Sequence, residues 1–165
     1  MPDATIRLAA AKDAESLAAI YNHYVLSTIV TFEENAVDPA QMRDRIHEIQ
    51  GMNFPWFVAE QDDQLLGYAY ASPWKGRPAY RFSAEVSVYL RNDWSRRGLG
   101  TRLYRELLDA LRLRGVHAAI GGIALPNDAS VALHQRCGFR KVAQFEEVGF
   151  KFGQWIDVGY WETIL

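Results

Sequence analysis

Ser95-Arg96-Arg97-Gly98-Leu99-Gly100-Thr101 joins a strand-like segment to a strongly periodic helix, and this junction constrains the chain more than any other stretch. Upstream, Ala84-Glu85-Val86-Ser87-Val88-Tyr89-Leu90 alternates as a half-buried strand does. Downstream, Leu99, Leu103, Leu107 and Leu111 recur every fourth position, widened by Tyr104, Leu108 and Ala110 into an amphipathic stripe. Glycines at 98 and 100 let the backbone approach a ligand without Cβ interference. The first N–H groups of a helix lack intrahelical partners, and its dipole makes that end positive, so the turn suits a phosphate or pyrophosphate. Arg96 and Arg97 add full charges there. A tight turn needing two glycines on steric grounds is the plain alternative. Neither a Gly-x-x-x-x-Gly-Lys-Ser/Thr loop nor a third glycine at 103 occurs, so nucleotide loops of those two types are set aside.

The remaining elements alternate between the two periods. Thr5–Ala10 reads as a strand and Asp13–Leu26 as a helix whose Leu17, Ile20, Tyr21, Tyr24 and Val25 share a side. Asp38-Pro39 is an N-cap acid before a first-turn proline, opening a helix to about Gln50. Trp56–Glu60 and Leu65–Ala71 flank a turn-rich Gln61-Asp62-Asp63-Gln64, predicting an antiparallel hairpin. A polar loop over 72–80 leads to the central strand Phe82–Leu90 and the helix Gly98–Arg114, ended by Gly115. His117–Ile123 is a strand, Pro126-Asn127-Asp128-Ala129-Ser130 opens a helix to Cys137, and Phe139–Val148 and Phe152–Ile164 close the chain as strands. The expected fold class is α/β (α+β): one domain over 1–165, its mixed, mostly antiparallel sheet flanked by helices.

Composition excludes more than it specifies. A net charge of −2 argues against a nucleic-acid partner. No apolar run is long enough to span a membrane and no leader is evident, so a cytoplasmic location without a membrane partner is expected. The single cysteine, Cys137, excludes an internal disulfide and reads as a small helix-face hydrophobe. His23, His47 and His117 lack ligand spacing, so no metal is expected.

The element order, with a Gly-x-Gly helix start after the fourth strand, resembles the GNAT superfamily of acyl-CoA-dependent N-acetyltransferases. Its Gln/Arg-x-x-Gly-x-Gly/Ala signature is met at Gly98 and Gly100, while Ser95 departs from the first position. A second signature, an Asn followed by a helix carrying Tyr or His before Gly-Phe, is matched by Asn127, His134 and Gly138-Phe139. Pro73-Trp74-Lys75-Gly76-Arg77, Ala79-Tyr80, Tyr21-Asn22-His23-Tyr24, Val30-Thr31-Phe32 and the Phe150–Val158 stretch resemble the phosphinothricin acetyltransferase group.

That resemblance implies acetyl-CoA as co-substrate and the α-amino group of a glutamate-like amino acid, such as phosphinothricin or methionine sulfoximine, as acceptor. It implies that Val88, Tyr89 and Leu90 lend backbone to pantetheine, with Arg96, Arg97, Gly98, Leu99, Gly100 and Thr101 at the pyrophosphate. Asn127 either hydrogen-bonds pantetheine or caps its helix. Glu85 is the candidate general base, against a structural carboxylate paired to Arg77 or Arg81. His134 either handles the proton of the amine or thiol or is merely hydrogen-bonded. Lys75, Gly76 and Arg77, with Glu85, Val86, Ser87 and Phe32, are the candidate acceptor contacts. Other amines (a polyamine, an aminoglycoside or a protein N-terminus) and a non-catalytic acyl-CoA-binding module are the alternative readings. Apolar closing strands, with Phe150, Phe152, Trp155, Ile156, Val158 and Trp161, lead to an expected homodimer.

Overall fold

The computed structural model describes residues 4–94 and 98–165. Seven strands and four α-helices form one layered α/β structure: β1 (Thr5–Leu8), α1 (Ala14–Ser27), α2 (Pro39–Gly51), β2 (Trp56–Gln61), β3 (Gln64–Pro73), β4 (Ser83–Leu90), α3 (Leu99–Leu113), β5 (Ala118–Ala124), α4 (Asp128–Arg136), β6 (Arg140–Lys151) and β7 (Gln154–Ile164). The strands lie in the order β1-β2-β3-β4-β5-β7-β6. Every neighbouring pair is antiparallel except β4 and β5, which run parallel.

Local chemistry explains most element ends. The Asp38 carboxylate accepts the Gln41 N–H at 2.8 Å while the Gln41 side chain accepts from the Asp38 N–H at 3.0 Å, so α2 starts on a reciprocal cap. Asp62 and Asp63, both at positive φ, make the two-residue turn between β2 and β3 whose twist suits a hairpin. The last hairpin differs from expectation. β6 runs on to Lys151, and the turn is Phe152-Gly153 at φ of 51° and 73°. A phenylalanine in the left-handed region carries no turn signal, which is why the strand reads as ending early. The first strand, by contrast, is shorter than expected, stopping at Leu8.

Each sheet face has its own core. On one, Leu99, Leu103, Tyr104, Leu107, Leu108 and Leu111 of α3 bury against Ala69, Ala71, Ala84 and Val86. On the other, α1 and α2 cover Trp56, Val58, Leu65 and Tyr68. Strand alternation therefore splits β4: Ala84 and Val86 belong to the α3 side, whereas Glu85, Ser87 and Tyr89 face the α1–α2 side beside Ser72, Tyr70 and Tyr68 of β3, their register partners. At the rim, Arg7 holds Asp13 and Glu60 at 2.8 and 2.7 Å, pinning β1 and β2 to the turn before α1.

Leu107 is fully buried at the centre of the α3 stripe. Truncation there removes both transfer energy and packing, so Leu107→Ala should lower unfolding stability by roughly 2–5 kcal/mol. Urea denaturation with an unchanged slope is the measurement that checks it.

Candidate functional site

β4 pairs with β3 from Ala84 to Leu90 but with β5 only from Ser83 to Glu85. Beyond Glu85 the two strands part, because β5 keeps in register with β7 over its whole length. From Val86 onward, the β5-facing main-chain groups of β4 therefore have no strand partner among the described residues. The gap is a narrow cleft of about 50 Å³. It is lined by Val86, Ser87, Val88 and Tyr89 of β4 and Gly122, Ile123 and Ala124 of β5, together with Asn127, Ser130, His134, Tyr104 and Val30.

Glu85 stands where the strands part. Its carboxyl is more than half-buried, and burial pushes its pKa above the ordinary glutamate value while the nearby Lys75 cation opposes the shift. Neither Arg77 nor Arg81 forms an ion pair with it. Arg81 donates to the Pro78 carbonyl at 3.1 Å and lies over the Phe82 ring, and Arg77 is exposed at the start of a single 3₁₀ turn. The ion-paired alternative for Glu85 thus finds no partner among the described residues. Two positions on, Ser87 lies opposite Tyr70 in the β3–β4 register, and burial raises the Tyr70 pKa.

His134 is 3% exposed, and both ring nitrogens are engaged. Nδ1 lies 2.8 Å from the Ser130 carbonyl, which can only accept, so Nδ1 carries the proton. Nε2, 3.1 Å from the Tyr104 hydroxyl, then accepts. Burial lowers the His134 pKa, with the Ser130 bond opposing. The ring occupies space that only a glycine at 121 leaves: a Cβ built there would lie 2.3 Å from Nε2. Tyr104 is a partner that helical periodicity hides, because the same stripe that marks it as core conceals its hydroxyl.

The other expected site residues divide. Gly98 caps α3 in the left-handed region at φ 76°, with open space where a Cβ would go, so its need for glycine is conformational. Gly100 has a packing reason to be glycine as well. It is buried, and its missing Cβ faces Leu133 at 3.2 Å, so it lets α3 and α4 pack closely. Leu99 and Thr101 are buried, leaving their main chain at the helix start. Asn127 Oδ1 accepts the Ser130 N–H at 3.1 Å, which is the capping geometry, although the same residue lines the cleft. Val86 departs from the expected acceptor contact: its side chain is buried toward α3, so it offers backbone. Lys75 lies over Trp74, 4.9 Å from the ring centroid, and Gly76 is exposed. Phe32, from the loop after α1, rests on Gly149 of β6. Ser95, Arg96 and Arg97 lie outside the described residues. Among the described residues no group of His, Cys, Asp and Glu is arranged to hold a metal ion, and no helix is long and apolar enough to cross a membrane.

Sequence and structure comparisons converge on one family. The model of the acetyltransferase (GNAT) domain matches residues 6–159. The phosphinothricin N-acetyltransferase of Streptomyces viridochromogenes is 38% identical over 157 residues, covering 95% of this chain and 85% of that protein. The L-methionine sulfoximine/L-methionine sulfone acetyltransferase of Salmonella typhimurium is 34% identical over 161 residues, covering 98% and 94%. A GNAT superfamily phosphinothricin acetyltransferase from Sinorhizobium meliloti, solved in complex with acetyl-CoA, superposes with a TM-score of 0.95 at 35% identity, over 99% of this chain and 89% of that one.

A neutral, buried His134 ties stability to pH. Its folded pKa lies below its unfolded value, so the unfolded chain takes the proton first, and stability falls as pH drops below about 6.5. Thermal melts of His134→Gln, compared between pH 7.5 and 5, should show a shallower acid decline than the natural chain. Parallel declines would mean that His134 carries none of it.

Proposed function

Because the chain belongs to the GNAT acetyltransferase family, we propose that it moves an acetyl group from acetyl-CoA to the α-amino group of a glutamate-like amino acid, of the phosphinothricin or methionine sulfoximine kind. The observation that carries this reading is the coincidence of Glu85 with the point where β4 and β5 separate. One end of the site offers unpaired main chain for a long, thin ligand. The same end offers a carboxyl held above its ordinary pKa.

Acetyl-CoA supplies an activated acetyl thioester. The parted stretch Val86–Leu90 suits its pantetheine arm, since free N–H groups aimed at a developing negative charge stabilise it. The first turn of α3, entered through left-handed Gly98, suits its diphosphate. These are fits of this chain's own backbone to the coenzyme.

Glu85 takes the proton that an acceptor ammonium must lose before it can attack. A base with a raised pKa holds that proton more firmly and lies closer to the working pH than an ordinary carboxylate. Neutral His134 and the Tyr104 hydroxyl form a buried hydrogen-bonded pair that lines the cleft and keeps the imidazole in one tautomer. Lys75, close enough to act on Glu85 electrostatically, complements an acidic acceptor, and exposed Arg77 on the same loop adds a second cation.

The same proposal includes a homodimer. Phe145, Val148, Phe150, Phe152 and Trp155 on the closing hairpin are each more than half exposed, and Phe150 pairs with Trp155 at 4.7 Å between ring centroids, whereas Ile156, Val158 and Trp161, expected on the same patch, point into the core. Such a patch on an edge strand favours a second copy over water.

The decisive assay is thiol release from acetyl-CoA with phosphinothricin and methionine sulfoximine; folded protein giving no release above background rejects the reading. Glu85→Gln should lower kcat by about 10²-fold or more while acetyl-CoA still binds by calorimetry. Since the deprotonated form is the active one, the acidic limb of kcat/KM should lie above the ordinary glutamate pKa of about 4.3. Equal turnover in the Gln variant would remove Glu85 from this role. Light scattering should report a dimer that Trp155→Glu converts to monomer.

A further inference from the structure

The outward face of β6 carries aromatics, but its inward face carries Gly149 and Lys151, which the chemistry above does not use. Lys151 is 1% exposed. Its Nζ donates to the Thr28 carbonyl at 2.8 Å and to the Thr31 carbonyl at 2.7 Å, and lies 5.0 Å from the Phe152 ring centroid. Among the described residues no carboxylate pairs with it; Glu33 and Glu34 reach it only through space. Burying an amine among carbonyls costs free energy that an apolar side chain would not. Lys151 therefore spends stability on holding one particular backbone segment.

That segment is the chain leaving α1. Thr31 is doubly tied, its carbonyl to Lys151 and its hydroxyl to the Tyr21 hydroxyl at 2.8 Å. Tyr21 in turn meets the Tyr89 ring of β4 edge-on, ring centroids 5.1 Å apart. One residue on, the Phe32 ring sits on Gly149 so closely that a Cβ there would lie 2.3 Å from its Cζ. Two inward positions of one strand thus fix the backbone at 28–31 and the ring at 32.

We infer that Lys151 and Gly149 are positioning residues for the acceptor side of the site, setting the wall that the segment 28–32 presents beside β4. This rests on the acyl-transfer reading, in which Phe32 is an acceptor contact. Neither residue touches the reacting atoms; both act through Thr28, Thr31 and Phe32.

Steady-state kinetics with phosphinothricin and acetyl-CoA varied separately, on the natural chain, Lys151→Met and Gly149→Ala, test this together with amide hydrogen exchange over 28–33. Lys151→Met strands two buried carbonyls and should raise the acceptor KM about tenfold, with the acetyl-CoA KM within about threefold and exchange over 28–33 faster. Gly149→Ala displaces the Phe32 ring but leaves the carbonyl bonds, so it should raise the acceptor KM with exchange over 28–31 unchanged. An acceptor KM that stays put in both variants, or one that moves in step with the acetyl-CoA KM, overturns the inference. Should Lys151→Met fail to fold, Gly149→Ala decides alone. A natural chain without turnover rejects the function proposed above and the acceptor role with it. Unchanged exchange in Lys151→Met rejects the clamp whether or not the enzyme turns over.

Discussion

β5 has two neighbours and cannot follow both. It matches β7 residue for residue from Ala118 to Ala124, while β4 is committed to β3 as far as Leu90. The two strands can share hydrogen bonds only where the two commitments coincide, over three residues ending at Glu85 and Ile120. A sheet normally treats unpaired main chain as a defect to be covered. Here the defect lies in the middle of the sheet, with helices on both faces to support it. The cleft at that break is lined by Tyr104 of α3, by Asn127, Ser130 and His134 of the α4 region, and by Val30 of the loop after α1.

The break also explains why the ionisable groups differ so much from one another. Glu85 is pushed toward its neutral form by burial, His134 likewise, and the two do not meet as an ion pair. Tyr68, Tyr70 and Tyr89 face Glu85's side of the sheet, all raised by burial and stacked into one aromatic layer with Trp56. That layer lowers the local dielectric response without supplying a counter-charge. Lys75 is the cation that tempers it.

How much of this was legible in the residues depends on how local each signal is. The α3 stripe, the Asp38 cap and the Asp62-Asp63 turn are written within a few positions, and the structure follows them. Gly98 and Gly100 look alike in the chain, but only the φ of one and the neighbours of the other separate a backbone need from a packing need. The state of His134 depends on Tyr104, thirty residues away, and on the absence of a side chain at 121. Lys151 lies more than a hundred residues from the carbonyls it holds, and a lysine in an edge hairpin reads as solvated. Pattern reports which face a residue is on; it does not report which distant backbone atoms wait there.

The contact between Gly121 and His134 reaches beyond the folded state of one molecule. With a ring nitrogen standing where any Cβ at 121 would stand, the two positions are not independent under drift. A larger residue at 121 would force the imidazole to move and with it the bonds to Ser130 and Tyr104, so the cost of a change at either position depends on what stands at the other. The order in which two substitutions at this pair arrive therefore matters to the stability of the intermediate.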